Sequence, residues 1–199
     1  MYSLTDSPDG DYQSAQETVA ELNIDVNLSY INNPKVMFDA KWDIESNWDF
    51  VRFQAFVHDS GWISLNGQFT EEGSGQPAQP LGEHGYDGLQ ENWVQESISL
   101  PQIDDAQISG FRFIQTSDNF VEGDGFVFDN FTISGYPNGI FGDWNHDMVA
   151  DIYDILSLAD FLLSGDDLAE PQLFFSDLDS NGVVDIMDLI LLTNIIMGR

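Results

Sequence analysis

Apolar and polar positions alternate along the first two thirds of the chain, and the period lengthens near its end. Leu22, Ile24, Val26 and Leu28 alternate strictly with polar neighbours, and Phe38, Ala40 and Trp42 do so again after Val36. Successive side chains of a strand point to opposite faces, so each stretch predicts a half-buried strand. Residues 50–57 carry apolar side chains on both faces and predict a longer strand. Residues 96–100, 111–114 and 126–133 complete the set. Turn signals separate them: Asn32, Asn33 and Pro34; Asp59, Ser60 and Gly61; the Gly- and Pro-containing stretch 71–80; and Glu122 to Gly125. No long helical period precedes residue 150. Many short strands with turns and no helices predict an antiparallel β-sandwich.

After residue 150 the period approaches 3.6. Ile155, Leu156, Leu158, Ala159, Phe161, Leu162 and Leu163 form one apolar run. Leu189, Ile190, Leu191, Leu192, Ile195, Ile196 and Met197 form another. Gly165 and Gly198 stand where such helices would stop. The stretch Ser134, Gly135, Tyr136, Pro137, Asn138, Gly139 reads as a linker. The expected domains are therefore 1–136, mainly β, and 137–199, a small α-helical module.

Each apolar run follows a loop rich in oxygen ligands. The first loop runs from Asp143 to Asp154 and the second from Asp177 to Asp188. Oxygen side chains fall at loop positions 1, 3, 5, 9 and 12 in both. A hard cation such as calcium takes roughly six to eight oxygen ligands, which a loop of this length can wrap around one point. Position 7 is Val149 or Val183, expected to ligate through its carbonyl and to turn its side chain to the core. An EF-hand also needs a helix before each loop, and the residues before Asp143 contain Gly135, Pro137, Gly139 and Gly142. Loop-then-helix repeats closing with Asp resemble the dockerin family over about residues 140–199.

That resemblance implies two bound calcium ions and docking of the folded module onto a cohesin-like domain of another protein. The ligands it implies are Asp143, Asn145, Asp147, Val149, Asp151 and Asp154, then Asp177, Asp179, Asn181, Val183, Asp185 and Asp188. Met148 stands at position 6 of the first loop, where the motif wants Gly for a sharp turn. A left-handed conformation costs a non-Gly residue roughly 1–2 kcal/mol, so the first site is expected to be the weaker. Positions 10 and 11, which read the partner, are Ile152 and Tyr153, then Ile186 and Met187. These apolar pairs suit either a cohesin or the neighbouring domain of the same chain.

Charge narrows the partners. Lys and Arg number 5 against 35 Asp and Glu, a formal net charge of −30. Nucleic acid and anionic membranes are excluded as partners by repulsion. Apolar residues make up 42% and aromatics 13%, so the acidity does not signal a disordered chain. The chain has no Cys, which removes thiol catalysis, disulfides and Cys-zinc sites. No run is long and apolar enough to span a membrane. No basic, apolar signal segment opens the chain, so it reads as a fragment or mature region of a longer secreted precursor. Surroundings outside the cell, rich in salt and calcium, fit this charge.

The first domain carries a series of landmarks: Ser7 to Tyr12, Lys41 to Glu45, Asp49 to Val51, Gly61 and Trp62, and Leu65 to Gly67. Tyr86 to Gly88, Trp93 to Glu96, Phe111 to Phe113, Ser117 and Asp118, and Asp124 to Asp129 follow. The series resembles the jelly-roll accessory domain, related to MAM and cleaved-adhesin modules, of secreted bacterial zinc carboxypeptidases and immune-inhibitor-A-type peptidases. The resemblance covers about residues 5–135 and implies a non-catalytic module that follows a peptidase domain.

Asp118, Asp124 and Asp129 are candidates for a further calcium site in the sandwich. A carboxylate on a strand is costly unless paired or metal-bound. Arg52 and Arg112, scarce cations on expected strands, are expected to pair with buried carboxylates. Trp42, Trp48, Trp62, Tyr86 and Trp93 could stack on sugars or fill the core. His58, Asp59 and Ser60 are the residue types of a hydrolytic triad, but adjacent residues cannot adopt its geometry, and a turn is expected. His58, His84 and His146 show no zinc spacing. The expected function is non-catalytic attachment or stabilisation, with calcium-dependent docking. A carbohydrate-binding module joined to a dockerin and a small calcium-dependent hydrolase are the alternatives.

Overall fold

Alternating burial builds the strands. In the computed structural model, which describes residues 3–8, 10–28, 31–100, 107–137, 139–165 and 175–199, the strands are β1 (Leu4–Thr5), β2 (Glu17–Leu22), β3 (Val26–Asn27), β4 (Ile31–Ile44), β5 (Phe50–Val57), β6 (Gly61–Ser64), β7 (Glu71–Glu72), β8 (His84–Gly85), β9 (Gly88–Ser99), β10 (Gln107–Thr116) and β11 (Gly125–Pro137). The helices are α1 (Ile152–Ser164) and α2 (Ile186–Ile196). The chain divides into two compact units, Met1–Tyr136 and Pro137–Arg199.

The first unit is an antiparallel β-sandwich. One sheet has the order β1-β11-β4-β9; the other has β2-β10-β5-β6, with β3 also paired to β10. β7 and β8 form a separate short ribbon. From β4 onward the chain crosses between sheets: β4 in the first, β5 and β6 in the second, β9 in the first, β10 in the second, β11 in the first. These crossings bring loops distant in sequence to common ends of the sandwich.

The core is aromatic. Val36, Phe38, Ala40, Trp42 and Ile44 of β4 face Val51, Phe53, Ala55 and Val57 of β5. Phe111, Phe113, Phe126 and Phe128 complete the contact. Phe113 lies 4.3 Å from Phe128 and 4.8 Å from Phe53, centroid to centroid. Full burial of one such ring contributes about 1.5–3 kcal/mol. Trp42 and Tyr86 belong to this core, at 7% and 0% exposure, and are closed to any ligand. The other three of the five aromatics considered from sequence share no sheet face: Trp62 is on β6 of one sheet, Trp93 on β9 of the other, and Trp48 in the turn between β4 and β5.

Two further expectations are corrected. Residues 22–28 do not form one strand: Leu22 ends β2, and β3 begins at Val26. Leu22 and Ile24 are exposed, so the alternation there lacks a core to hold it. Arg52 and Arg112 form no ion pair among the described residues. Both lie on the outer face of their sheet, where Arg112 Nε donates to Gln54 Oε1 (2.7 Å) and its guanidinium stacks 4.2 Å from the Trp62 ring. Arg52 Nη2 reaches only Thr116 Oγ1, at 3.5 Å.

In the second unit α1 and α2 contact each other around Trp144, Leu158 and Leu192, with Phe161, Leu178, Val184 and Leu189 packed alongside. Trp144 sits 4.9 Å from the Phe161 ring. Gly165 caps α1 at φ 70°, its N–H donating to the Phe161 carbonyl. Val149 and Val183 are more than half exposed, against expectation. The next residue, Val184, packs on the core instead, because adjacent side chains of an extended segment point opposite ways.

Candidate metal centres

The two acidic loops adopt one repeated hydrogen-bond pattern. Asp143 Oδ1 accepts the Asp147 N–H and Oδ2 accepts the Met148 N–H, at 3.1 and 2.8 Å. Asp177 does the same for Asn181 and Gly182, at 3.0 and 2.8 Å. Asp154 accepts the N–H groups of Asn145 and Asp151, at 3.0 and 2.7 Å. Asp188 accepts those of Leu178, Asp179 and Asp185, at 2.7, 3.3 and 2.8 Å. Both closing carboxylates are fully buried.

Positions 4 and 6 are left-handed in each loop: His146 and Met148 at φ 60° and 70°, Ser180 and Gly182 at φ 58° and 87°. Position 6 therefore makes the same turn with Met in one loop and Gly in the other. Asp151 and Asp185 cap α1 and α2 through capping boxes with Asp154 and Asp188. Asp177, Asp179 and Asp188 bring carboxylate oxygens within 4.8 Å of one another and could hold a metal ion. Such a group of hard oxygens suits calcium, and no Lys or Arg lies in either loop to neutralise it. Ile152, Tyr153, Ile186 and Met187 open the two helices and are exposed, at 55%, 62%, 59% and 49%.

A second acidic group lies in the sandwich and was only partly visible in the sequence. Asp118, just after β10, joins Glu45 and Asp49 from the turn between β4 and β5, with oxygens again within 4.8 Å. Asp49 is fully buried; Oδ2 accepts the Tyr12 hydroxyl (2.6 Å) and Oδ1 accepts the Asp118 N–H (2.6 Å). One Glu45 oxygen is buried without a hydrogen-bond partner. Burial, then the neighbouring negative charges, push the Glu45 carboxyl above its ordinary range. Burial does the same to Asp49, against the Tyr12 and Asp118 hydrogen bonds that oppose it. A divalent cation would relieve both the desolvation and the repulsion.

Asp124 and Asp129 do not join that group. Asp124 lies beside Asp6, whose carboxyl is pushed up by burial and accepts the Phe126 N–H at 2.8 Å. Asp129 Oδ1 accepts the Asn130 N–H at 2.7 Å. Among the hydrolytic residue types, His58 and Asp59 form an exposed 3.2 Å pair in the turn between β5 and β6. Glu96 is a functional-looking acid with a structural setting: fully buried, it accepts from the N–H groups of Gln68 and Phe69 and from the Tyr86 hydroxyl.

No family model and no curated protein matches the sequence. Among solved structures the chain is similar to one in the structure of infectious bursal disease virus, Gx strain. That likeness has 11% identity and a TM-score of 0.19 over 92% of this chain. The chain spans about half, 52%, of that viral chain, and a likeness this slight carries no argument.

Proposed function

We propose that the chain is a non-catalytic region of a secreted bacterial hydrolase, attached to its surroundings by a calcium-folded docking module of dockerin type. The observation that carries this reading is the repeat itself: two acidic loops with matching hydrogen bonds, each opening a helix on an exposed apolar pair. Two calcium ions bind the loops through the ligand sets that the spacing gives, including the carbonyls of Val149 and Val183. Ile152, Tyr153, Ile186 and Met187 then meet a cohesin-like domain. The crossing of successive strands between the two sheets supports a jelly-roll reading of residues 1–136, in keeping with the resemblance to peptidase accessory domains. A net charge of −30 suits work outside the cell, where calcium is plentiful.

Immobilised cohesin-type domains test the docking step. The full chain should be captured with calcium and released by chelator. The double variant Ile152→Asp, Ile186→Asp should lose capture while still binding calcium. Absence of calcium-dependent capture across the panel would reject docking. If the same variant instead lowered the melting temperature of the sandwich, the apolar pairs would be packing within the chain.

A further inference from the structure

Three loops of the sandwich enclose an open groove, which the docking reading does not use. Residues 15–17, 76–78 and 116–119 line it, with Trp48 exposed at 43% on one wall; its volume is about 550 Å³. That volume falls within the range of small-ligand sites. The polar lining is Gln16, Glu17, Gln76, Thr116, Ser117, Asp118 and Asn119.

The groove is held in shape by hydrogen bonds behind its surface. Gln79 is buried at 1% exposure; its amide nitrogen donates to the Asp49 carbonyl (2.6 Å) and to Asp87 (3.1 Å), and its amide oxygen accepts the Ser74 N–H (3.2 Å). The Gln79 N–H also donates to the Gln76 carbonyl, which fixes the 76–78 wall. Ser117 ties the other two loops together: its N–H donates to the Gln16 carbonyl (3.0 Å), and its hydroxyl donates to the Gln13 carbonyl (2.8 Å). Trp48 rides on a turn closed by N–H donation to the Glu45 carbonyl. A preformed site loses little conformational entropy on binding.

From this lining we infer that the groove binds a neutral polysaccharide. A pyranose ring has an apolar C–H face, which fits the exposed indole of Trp48, and hydroxyls that both donate and accept. Gln16, Gln76 and Asn119 offer amides that do both, and Glu17 and Asp118 accept hydroxyl protons. Other ligand classes fit less well. No Lys or Arg lines the groove, so phosphates and acidic sugars meet only negative charge. The Glu17 and Asp118 carboxylates in the lining disfavour a lipid or an apolar helix. The inference stands whether or not the C-terminal unit docks a cohesin.

Native gels containing hydroxyethyl cellulose, xyloglucan or galactomannan test it with the full chain in calcium buffer, with polygalacturonate as the acidic control. At least one neutral polymer should retard the chain, and polygalacturonate should not. Trp48→Ala should weaken that retention by about tenfold or more. Gln76→Ala should weaken it less, and Trp93→Ala, on β9 of the other sheet, should leave it unchanged. Melting curves of each variant separate lost binding from lost fold, and Gln76→Ala carries the test if Trp48→Ala unfolds. No retention by any neutral polymer, or retention indifferent to both Trp48 and Gln76, would overturn the inference. Equal retention by polygalacturonate would do the same.

Discussion

Asp151 and Asp154 cap each other: the Asp151 N–H donates to Asp154 Oδ2 at 2.7 Å, and the Asp151 side chain accepts the Asp154 N–H. Asp185 and Asp188 repeat the arrangement at the second helix. Both residues of each pair also stand at positions 9 and 12 of an acidic loop, which the proposed calcium sites would use. On the proposed reading the carboxylates that start each helix would also bind the ion, and filling the loop would fix the first turn of the helix.

Calcium should therefore raise the helix content of the chain. Eight loop carboxylates repel one another until cations arrive. A ligand bound only by the folded form stabilises it by about 2.7 kcal/mol at a hundredfold excess over its dissociation constant. Far-ultraviolet circular dichroism of the chelated chain should gain helical signal as calcium is added. Identical spectra with and without chelator would reject the coupling.

The two loops should bind unequally. Met148 holds φ 70° where the second loop has Gly182 at φ 87°. A side chain in that region costs roughly 1–2 kcal/mol, and closing the first loop carries that cost. Calorimetry should resolve a tighter and a weaker site. Met148→Gly should tighten the weaker one by about fivefold or more. Asp188→Ala should damage total binding more than Asp154→Ala. Two equal sites in the unsubstituted chain would count against this account.

Legibility from sequence followed locality. β5 was read with its bounds because apolar residues run almost throughout 50–57, although only the face of Val51, Phe53, Ala55 and Val57 meets the core. β2 was missed because all six of its residues are exposed: an edge strand without a buried face leaves no alternation to read. The acidic loops were legible because their ligand positions lie within one short segment. In the sandwich group Asp118 was singled out but Glu45 and Asp49 were not, because strand crossings between the sheets bring their loops together. Only the placement of Asp49 immediately before an apolar strand hinted at its burial.

Removing the buried acceptor in the core should be costly. Glu96→Ala leaves the Gln68 and Phe69 N–H groups and the Tyr86 hydroxyl without their partner. Unsatisfied buried donors cost about 1–3 kcal/mol each, less where water enters the cavity. Thermal unfolding should show a loss of at least about 3 kcal/mol, and Glu96→Gln a smaller one. A melting temperature unchanged in Glu96→Ala would refute this role.

The sandwich should lose stability as pH rises in the presence of chelator. Glu45 and Asp49 have folded values raised above 4.5 and 3.8, their ordinary values. The folded form then holds more protons than the unfolded one between those values and the raised ones, so stability falls as pH climbs through that window. Asp118→Asn removes one of the three charges and keeps the backbone N–H that donates to Asp49. It should flatten the decline, as should calcium in the unsubstituted chain. A decline untouched by either would remove the acidic group as its source.

The last expectation concerns catalysis. Carboxyls pushed above their ordinary range beside a groove are also the mark of general acids, and Glu45 and Asp49 are such carboxyls. Proton transfer requires a carboxyl within hydrogen-bond reach of the substrate. Asp49 is fully buried, with its oxygens committed to Tyr12 and to the Asp118 N–H. Asp118 lines the groove, but Glu45 and Asp49 do not. The lining carboxylates are Glu17 and Asp118, so the carboxyls that burial pushes up and that could serve as the acid of glycoside hydrolysis, Glu45 and Asp49, stand outside the groove. The full chain should leave polysaccharide, peptide and ester substrates intact, with calcium or zinc present. Reproducible turnover abolished by Asp118→Asn, with polysaccharide retention preserved, would overturn the non-catalytic reading and make the groove an active site.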